Sequence, residues 1–254
     1  MPPRTADDLL SLFEKVSTSI RRALDGLDNW EPLGVAGSHT GQYRHDVVAD
    51  DVALSILDSA GVGVLSEESG LRRADAGVVV IIDPIDGSSN ASRGLPWFAT
   101  SLCAVDEDGP IASMIVNQAT GVVYSAVRGE GARRNGLLIK PRTTSELAKA
   151  FVALSGLPPR HLGWRQFRCL GAAALDLCGV ADGTLDAFID CSRDSHGVWD
   201  YAGAFLVCQE AGVPIVDAVG RELLVLDPAV GRTPIAACTT SLLADIQTAR
   251  QTFD

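Results

Sequence analysis

Apolar residues recur at steps of three and four in the first part of the chain, the spacing of one face of an amphipathic helix. This pattern predicts a helix over 6–27, through Leu9, Phe13, Val16, Ile20, Leu24 and Leu27. A second helix is predicted over 46–60, through Val48, Val52, Ile56 and Leu57, with Gly61 as its stop. The chain therefore begins with two helices before its first strand.

Short β-branched runs bounded by turn residues predict the strands. They fall at 61–66, 77–83, in a three-strand meander over 99–127, and at 151–156, 185–190, 213–216 and 234–238. Further helices are predicted at 171–181, at 199–211 and from Thr239 or Thr240 onward, and a glycine-rich loop at 128–136. Strands and helices come in mixed order, which predicts a layered α/β protein with substantial antiparallel pairing.

Composition limits the classes of function. The 254 residues, 46% hydrophobic and 21% charged, suffice for one large α/β domain or two small ones. A net charge of -11 disfavours nucleic-acid or acidic-membrane partners. The six cysteines are scattered without a CxxC pair, and we find neither a signal peptide nor a membrane-length apolar run. We therefore expect a cytoplasmic protein with reduced cysteines, no nucleic-acid partner and no membrane partner.

The predicted strand at 77–83 runs directly into two aspartates, Asp83 and Asp86, within the sequence DPIDGSS. Carboxylates this close repel one another unless a cation lies between them, and Mg²⁺ prefers oxygen ligands. Gly87 would let the backbone approach a ligand, and Ser88 would begin a helix whose N–H groups attract phosphate. The alternative interpretation is that both aspartates cap a strand and a helix in an ordinary turn.

Two other acidic positions bear on this choice. Glu67 and Glu68 follow a predicted strand, and Asp200 begins a helix of small residues directly after Trp199. Alone, the glutamates are typical of a solvated turn, and Asp200 is typical of an N-cap. Their combination with the DPIDGSS sequence favours a shared metal site over independent caps.

These three segments, Glu67–Glu68, DPIDGSS and the later WDYAGA, together resemble the inositol monophosphatase family. That family belongs to the lithium-sensitive, Mg²⁺-dependent sugar phosphatases. RGEGARRNG, LGAAALDLC and QEAG are similar to family segments as well, so the resemblance covers nearly the whole chain. It implies a five-layer αβαβα sandwich as a single domain over 1–254, with a metal-binding half at 1–140 and a substrate-binding half at 141–254. It also implies a homodimer.

The resemblance implies two or three Mg²⁺ ions per site. It assigns Glu68, Asp83 and the carbonyl of Ile85 to one ion. It assigns Asp83, Asp86 and Asp200 to a second ion, with Asp83 bridging, and a weaker third ion to Glu68.

The resemblance also assigns roles in phosphate binding and catalysis. The N–H groups of Gly87 and Ser88 would hold the phosphate. Glu68 and the Ser88 hydroxyl would orient or deprotonate a metal-activated water that attacks phosphorus in line, with Asp83 as a bridging ligand. The role of Glu67 is left open between ligand and support of the ligands.

The second predicted helix departs from the family pattern. Relatives carry an aspartate there that supports the attacking water, and three acids of HDVVADDVA are candidates for it: Asp46, Asp50 and Asp51. The alternative is a helix turn whose acids complement the helix dipole.

Substrate contacts are expected mainly in the second half of the chain. By resemblance they are Asp86, Gly171, Ala172, Ala173 and Asp190, and the longer segment after Asp190 adds Arg193 and His196, which could meet a second anionic group. The alternative for these last two is a solvent-exposed loop.

The sequence thus predicts a Mg²⁺-dependent phosphomonoesterase for a small polyol or sugar phosphate, with myo-inositol 1-phosphate as the leading substrate. Histidinol phosphate and 3′-phosphoadenosine 5′-phosphate are alternatives. An alternative of a different class is a regulatory or scaffold protein on a phosphatase fold.

Overall fold

The computed structural model describes residues 5–27 and 42–253. Its helices are α1 (Ala6–Asp25), α2 (Arg44–Ala60), α3 (Ser88–Ser92), α4 (Ala173–Ala181), α5 (Val198–Ala211) and α6 (Thr240–Arg250). Its strands are β1 (Gly63–Ser66), β2 (Gly70–Arg72), β3 (Val79–Asp86), β4 (Ala99–Asp106), β5 (Gly109–Asn117), β6 (Val123–Val127), β7 (Gly131–Arg134), β8 (Leu137–Leu138), β9 (Phe151–Ser155), β10 (Gln166–Arg168), β11 (Ala187–Asp190), β12 (Ile215–Asp217) and β13 (Pro234–Ala237).

The strands form two sheets. The larger has the order β2-β1-β3-β4-β5-β6-β7-β8, and the smaller has the order β10-β9-β11-β13-β12. Only β1 and β3 run parallel in the larger sheet, and every other pair there is antiparallel. This mixture confirms the prediction made from the element order.

The sheets and helices stack in five layers. Helices α1 and α2 pack together and cover one face of the larger sheet, while α4 and α5 lie between the two sheets. Helix α6 covers the outer face of the smaller sheet through β11 and β13. The order is therefore αβαβα, as the resemblance implied.

Strand β3 lies inside the larger sheet between β1 and β4, and all eight of its residues are buried. Val80 and Ile82 belong to the apolar cluster beneath α1 and α2, whereas Val79 and Ile81 belong to the cluster between the sheets. Alternate residues of a strand point to opposite faces, so β3 serves both cores.

Two local features differ from the sequence predictions. The glycine-rich segment 128–136 contains strand β7 rather than loop alone, and the helix after Gly87 extends for only five residues. Among the described residues, no helix combines the length and apolar character needed to cross a membrane.

Candidate active site

A bulge in β3 turns two aspartates toward the same face of the larger sheet. Asp83 pairs with Ser101 of β4 and Asp86 pairs with Ala99, so β3 takes three steps where β4 takes two. In a regular strand, three steps would send Asp83 and Asp86 to opposite faces. The extra residue of the bulge restores both carboxylates to one face.

Hydrogen bonds fix the shape of this bulge. The Thr100 hydroxyl donates to the carbonyl of Pro84 at 2.8 Å, and the N–H of Ile85 donates to Asp83 Oδ1 at 2.9 Å. The Ser88 hydroxyl lies 2.8 Å from the carbonyl oxygen of Ile85. The DPIDGS segment is therefore a rigid turn whose side chains and carbonyls line one cleft.

Strand β1 supplies a third carboxylate. It runs parallel to β3 with Ser66 beside Ile82, and the N–H of Glu67 donates to the Ile82 carbonyl at 3.3 Å. The next position in this register sets Glu67 beside Asp83. Glu67 and Glu68 lie in the turn between β1 and β2, directly after the last residue of β1.

The placement of Glu68 differs from that of Glu67. Gln42 donates a hydrogen bond to the Glu68 carboxylate, and the N–H of Glu68 donates to the Ser66 hydroxyl. We predicted Glu68 as the metal ligand, but the structure brings Glu67 to Asp83 instead. Glu68 lines the same cleft with its carboxylate outside the cluster.

Helix α5 supplies the remaining member of the cluster, Asp200. Gly203 lies against the larger sheet, where an added Cβ would be 2.7 Å from Ser101 Oγ. Asp200 precedes Gly203 by three residues and so shares its side of the helix. Since Ser101 pairs with Asp83, this close contact carries Asp200 to Asp83.

Carboxylate oxygens of Glu67, Asp83 and Asp200 lie within 4.8 Å of one another. Desolvation, with repulsion from Asp200 and Glu68, raises the pKa of Glu67 to about 9, although its side chain opens on the cleft. Burial and repulsion from Glu67 raise the pKa of Asp83 well above its usual range, and burial raises the pKa of Asp200 to about 6. The three carboxylates destabilise one another's ionised forms.

This cluster fits a hard divalent cation. No lysine, arginine or histidine of the described chain lines the cleft, so the protein itself offers no positive charge there. The available donors are carboxylate and carbonyl oxygens, the ligands that Mg²⁺ prefers. A divalent cation would offset the burial that raises all three pKa values and the repulsion that adds to it at Glu67 and Asp83.

Asp86 has a different environment. Its carboxylate accepts hydrogen bonds from the N–H groups of Ala173 at 3.1 Å and Ala174 at 2.7 Å, at the first turn of α4. Burial and repulsion from Asp200 raise its pKa well above the usual range. Asp86 therefore joins the cleft to α4, next to the group of three.

The structure distinguishes the three candidate acids of α2. Asp46 is buried, and its Oδ1 lies 2.7 Å from the Ser88 hydroxyl. Burial raises the pKa of Asp46 to about 6. Asp50 accepts a hydrogen bond from Ser66 at 2.5 Å, and Asp51 is exposed. Asp46 alone among them contacts the DPIDGS segment.

Gly87 occupies the left-handed region at φ +89, which favours glycine. A Cβ there would lie 3.1 Å from the carbonyl oxygens of both Gly171 and Trp97. The turn is thus packed against the start of α4. The cleft lined by the DPIDGS segment, which we call the main cleft, has a volume of about 730 Å³ and is also lined by Gly171.

Of the substrate residues predicted after residue 180, two are buried and contact one another, and the third is exposed. Asp190 is fully buried and accepts hydrogen bonds from the N–H of Ser192 and the hydroxyl of Ser195. Nδ1 of His196 lies 2.9 Å from Asp190 Oδ2, so His196 stands between Asp190 and the site. Arg193 is exposed with its Nε 3.7 Å from the Asp194 carboxylate, and it does not line the cleft.

The fold and the site together define a class: a five-layer α/β protein with a cluster of oxygen ligands where the bulge of a central strand meets a helix start. Comparison with known proteins makes the assignment specific. The family model for the inositol monophosphatase family matches residues 46–251. The chain belongs to the inositol monophosphatase family.

Two curated relatives are similar over most of their length. The fructose-1,6-bisphosphatase of Pyrococcus furiosus is 32% identical over 241 residues, covering 94% of this chain and 93% of its own. The fructose-1,6-bisphosphatase/inositol-1-monophosphatase of Archaeoglobus fulgidus is 31% identical over 223 residues, covering 85% and 87%.

A solved structure extends the similarity to the fold. It is a hypothetical protein from Pyrococcus horikoshii, described as having similarities to inositol-1 monophosphatase, with a TM-score of 0.82 and 26% identity over 96% of both chains. Members of the family are phosphatases and depend on Mg²⁺ in general. This chain is a phosphatase of that family, and a sugar phosphate is its class of substrate.

Proposed function

We propose that the protein is a Mg²⁺-dependent phosphomonoesterase whose substrate is a small polyol or sugar phosphate, with myo-inositol 1-phosphate as the leading candidate. The observation that carries the proposal is the convergence of Glu67, Asp83 and Asp200 within 4.8 Å, in an open cleft that no lysine, arginine or histidine of residues 5–27 or 42–253 lines. Family membership and the names of the relatives support the same reaction.

The ligand set we propose contains Glu67, Asp83, Asp200 and the carbonyl of Ile85, with Asp86 completing a second position beside Asp200. This places Glu67 in the role that we predicted for Glu68. Two or three Mg²⁺ ions bound there would supply positive charge for the phosphoryl oxygens and would lower the pKa of water.

The Ser88 hydroxyl is the group best placed to orient a water molecule. The single hydrogen of the Ser88 hydroxyl can be donated to Asp46 Oδ1, at 2.7 Å, or to the carbonyl of Ile85, at 2.8 Å. When Asp46 accepts it, the lone pairs of Ser88 Oγ are available to other donors. Ser88 Oγ can then accept a hydrogen bond from a water molecule in the cleft. When that water loses a proton, Asp46 can take up a proton through the Ser88 hydroxyl. Asp46, rather than Asp50 or Asp51, is therefore the supporting acid in this proposal.

Phosphate binding is assigned to the backbone of Gly87 and Ser88. Gly87 carries no side chain where the turn approaches Gly171, so the backbone stays open to the cleft. Helix α3 has only five residues, and its dipole contributes less than a long helix would. The N–H groups themselves, rather than a helix dipole, would hold the phosphoryl oxygens.

The experiment that tests this function is phosphate release from four compounds: myo-inositol 1-phosphate, fructose 1,6-bisphosphate, histidinol phosphate and 3′-phosphoadenosine 5′-phosphate. Each is assayed with Mg²⁺, with chelator and with added Li⁺. We expect release with Mg²⁺, loss with chelator, inhibition by Li⁺ and the highest kcat/KM for inositol 1-phosphate. Negligible release from all four with Mg²⁺ would contradict the proposal and favour a regulatory or scaffold role.

The homodimer and the cytoplasmic location remain predictions from family resemblance and composition. Light scattering on the purified protein checks the first, with a mass of twice 26.7 kDa expected. A mass equal to a single chain at micromolar concentration would contradict it.

A further inference from the structure

A second, smaller cavity opens beside the main cleft. Its volume is about 140 Å³, and it shares Asp86, Gly171 and Asp200 with the cleft. We call it the side pocket and define it by Ser155, Asp176, Phe188 and His196, which line it and do not line the cleft. A water molecule occupies about 30 Å³ of liquid, so the side pocket holds a few polar groups rather than a whole sugar phosphate.

Asp176 is the carboxylate of the side pocket that the proposed reaction does not use. It lies in the first half of α4 and is only 1% exposed. The indole N–H of Trp97 donates to Asp176 Oδ1 at 2.8 Å. The other carboxylate oxygen accepts no hydrogen bond from any residue in the described ranges, and the residue lines the pocket.

The Asp176 carboxylate is held by Trp97, and Trp97 is in turn tied to the segment before α4 through Asn90. Trp97 holds one carboxylate oxygen, and the carbonyl of Trp97 accepts a hydrogen bond from Asn90 at 2.7 Å. The same Asn90 amide donates to the carbonyl of Leu170 at 2.7 Å, just before α4. The carboxylate is thus held rigidly, as a recognition group requires.

The other polar groups of the side pocket are Ser155 and His196. Nε2 of His196 lies 3.3 Å from Ser155 Oγ, and its Nδ1 is engaged by Asp190. Within the described chain, no lysine or arginine lines the pocket. The one basic side chain in the described lining, His196, has its Nδ1 engaged by Asp190, so a second phosphate would mainly meet the carboxylates of Asp86, Asp176 and Asp200. A hydrogen-bond donor would instead meet the oxygen of Asp176 that accepts no other hydrogen bond within the described residues.

We propose that Asp176 contacts the substrate: the side pocket receives a hydrogen-bond donor, a hydroxyl or a protonated nitrogen, from the non-phosphate part of the molecule. This inference rests on the proposed function and deepens it by naming the chemistry of the group that the leaving part must carry. It also distinguishes Asp176 from Asp190, which lies behind His196 and does not line the pocket.

The test compares the unchanged protein with Asp176→Asn and with a matched control, Asp182→Asn. Asp182 lies at the C-terminal end of the same helix, accepts a hydrogen bond from Tyr124 at 2.8 Å and lines neither cavity. Substrates are inositol 1-phosphate, which offers hydroxyl groups, histidinol phosphate, which offers a protonated amine, and 4-nitrophenyl phosphate, whose ring offers no donor. Melting temperatures with and without Mg²⁺ show whether each variant folds and binds metal.

We expect Asp176→Asn to lower kcat/KM by about tenfold to a hundredfold for a donor-bearing substrate, the range of one hydrogen bond to a charged group. We expect the kcat/KM for 4-nitrophenyl phosphate to change by less than about twofold. Selective loss with inositol 1-phosphate identifies a hydroxyl as the donor, and selective loss with histidinol phosphate identifies a protonated nitrogen. Asp182→Asn should change kcat/KM by the same factor for all three substrates.

Equal losses on all three substrates, or no loss on any, would overturn the role of Asp176. A selective loss of the same size in Asp182→Asn would overturn it too, because the effect would then come from the helix. If the unchanged protein released phosphate from none of the compounds, the proposed function would fail, and this inference would fail with it.

Discussion

At the scale of single residues, the contact between Ser88 and Asp46 couples the phosphate turn to α2. Asp46 is buried, and its carboxylate accepts hydrogen bonds from the Ser88 hydroxyl and from the N–H of Tyr43 at 2.8 Å. Its Oδ1 also lies 3.4 Å from Nε2 of His45. A buried acid held this way serves as a local base better than an exposed one.

We therefore predict that Asp46→Asn lowers kcat by about a hundredfold to ten-thousandfold, the usual contribution of a positioned base. Ser88→Ala should have a similar effect, whereas Ser88→Thr should keep activity within about tenfold, because the hydroxyl that orients the water remains. Phosphate release gives the rates, and calorimetric Mg²⁺ titration gives the metal affinity, which should stay unchanged. Full activity of Ser88→Ala would contradict the role of the hydroxyl.

The site residues show what local sequence could and could not predict. Asp83, Asp86 and Asp200 were predicted as one constellation, and the structure brings them to one cleft. The assignment between Glu67 and Glu68 depends on the parallel register of β1 with β3, which no local pattern shows. The sequence did offer one signal. Glu67 lies two residues after Leu65, and residues two apart in an extended segment point to the same side, here the side of the core between the sheets.

At the scale of elements, the approach of α5 to the larger sheet sets the geometry of the cluster. Gly203 has no side chain where Ser101 Oγ and Ile115 lie, and an added Cβ would be 2.7 Å from the first and 3.3 Å from the second. Ser101 Oγ is itself buried and has no hydrogen-bond partner among the residues that the structure describes. Ser101 therefore adds a close contact without a compensating hydrogen bond.

From this packing we predict that the effect of Gly203→Ala on stability depends on the residue at position 101. Overpacking by Gly203→Ala should lower the free energy of unfolding by about 1–3 kcal/mol. The higher helix propensity of alanine offsets about 1 kcal/mol of this loss. The double variant Gly203→Ala with Ser101→Ala should be more stable than Gly203→Ala alone, because the clashing oxygen is gone. Urea denaturation measures both free energies of unfolding. Equal stabilities of the single and double variants would show that this contact does not limit the approach of α5.

Elements were predictable where the pattern was strong. The helices beginning the chain and the meander of β4, β5 and β6 follow directly from apolar periodicity and turn residues. The bulge at Pro84 and Ile85 was not predictable, because it depends on pairing with β4 and on a bond from Thr100. Pairing between distant strands is a tertiary property, and local patterns do not contain it.

At the scale of the whole molecule, the acidic cluster opposes folding in the absence of a cation. The pKa of Glu67 rises from 4.5 to about 9, and that of Asp200 rises from 3.8 to about 6. A carboxyl group whose pKa is raised by folding costs no stability below its unfolded value, where it is protonated in both states. The cost grows as pH rises above that value and is complete above the folded pKa.

We accordingly predict that, in chelator, the melting temperature falls as pH rises from about 4 toward 9, the window set by these shifts. Mg²⁺ should restore stability most at the alkaline end, where the carboxylates are ionised and can bind it. Glu67→Gln should flatten the profile in chelator, because one of the shifted carboxyl groups is removed. Scanning calorimetry across pH checks this, and a profile equally steep in Glu67→Gln would rule out Glu67 as a source of the effect.

The most direct test of the central claim is Mg²⁺ binding by titration calorimetry to the unchanged protein, Glu67→Gln and Glu68→Gln, with phosphate release followed on the same samples. We predict that Glu67→Gln weakens the tightest Mg²⁺ site by about tenfold or more and loses turnover, since a ligand carboxylate is replaced by a neutral amide. Glu68→Gln should keep that site within about threefold and remain active, because its carboxylate lies outside the cluster. The reverse order, with Glu68→Gln losing the metal and Glu67→Gln keeping it, would contradict the site described here.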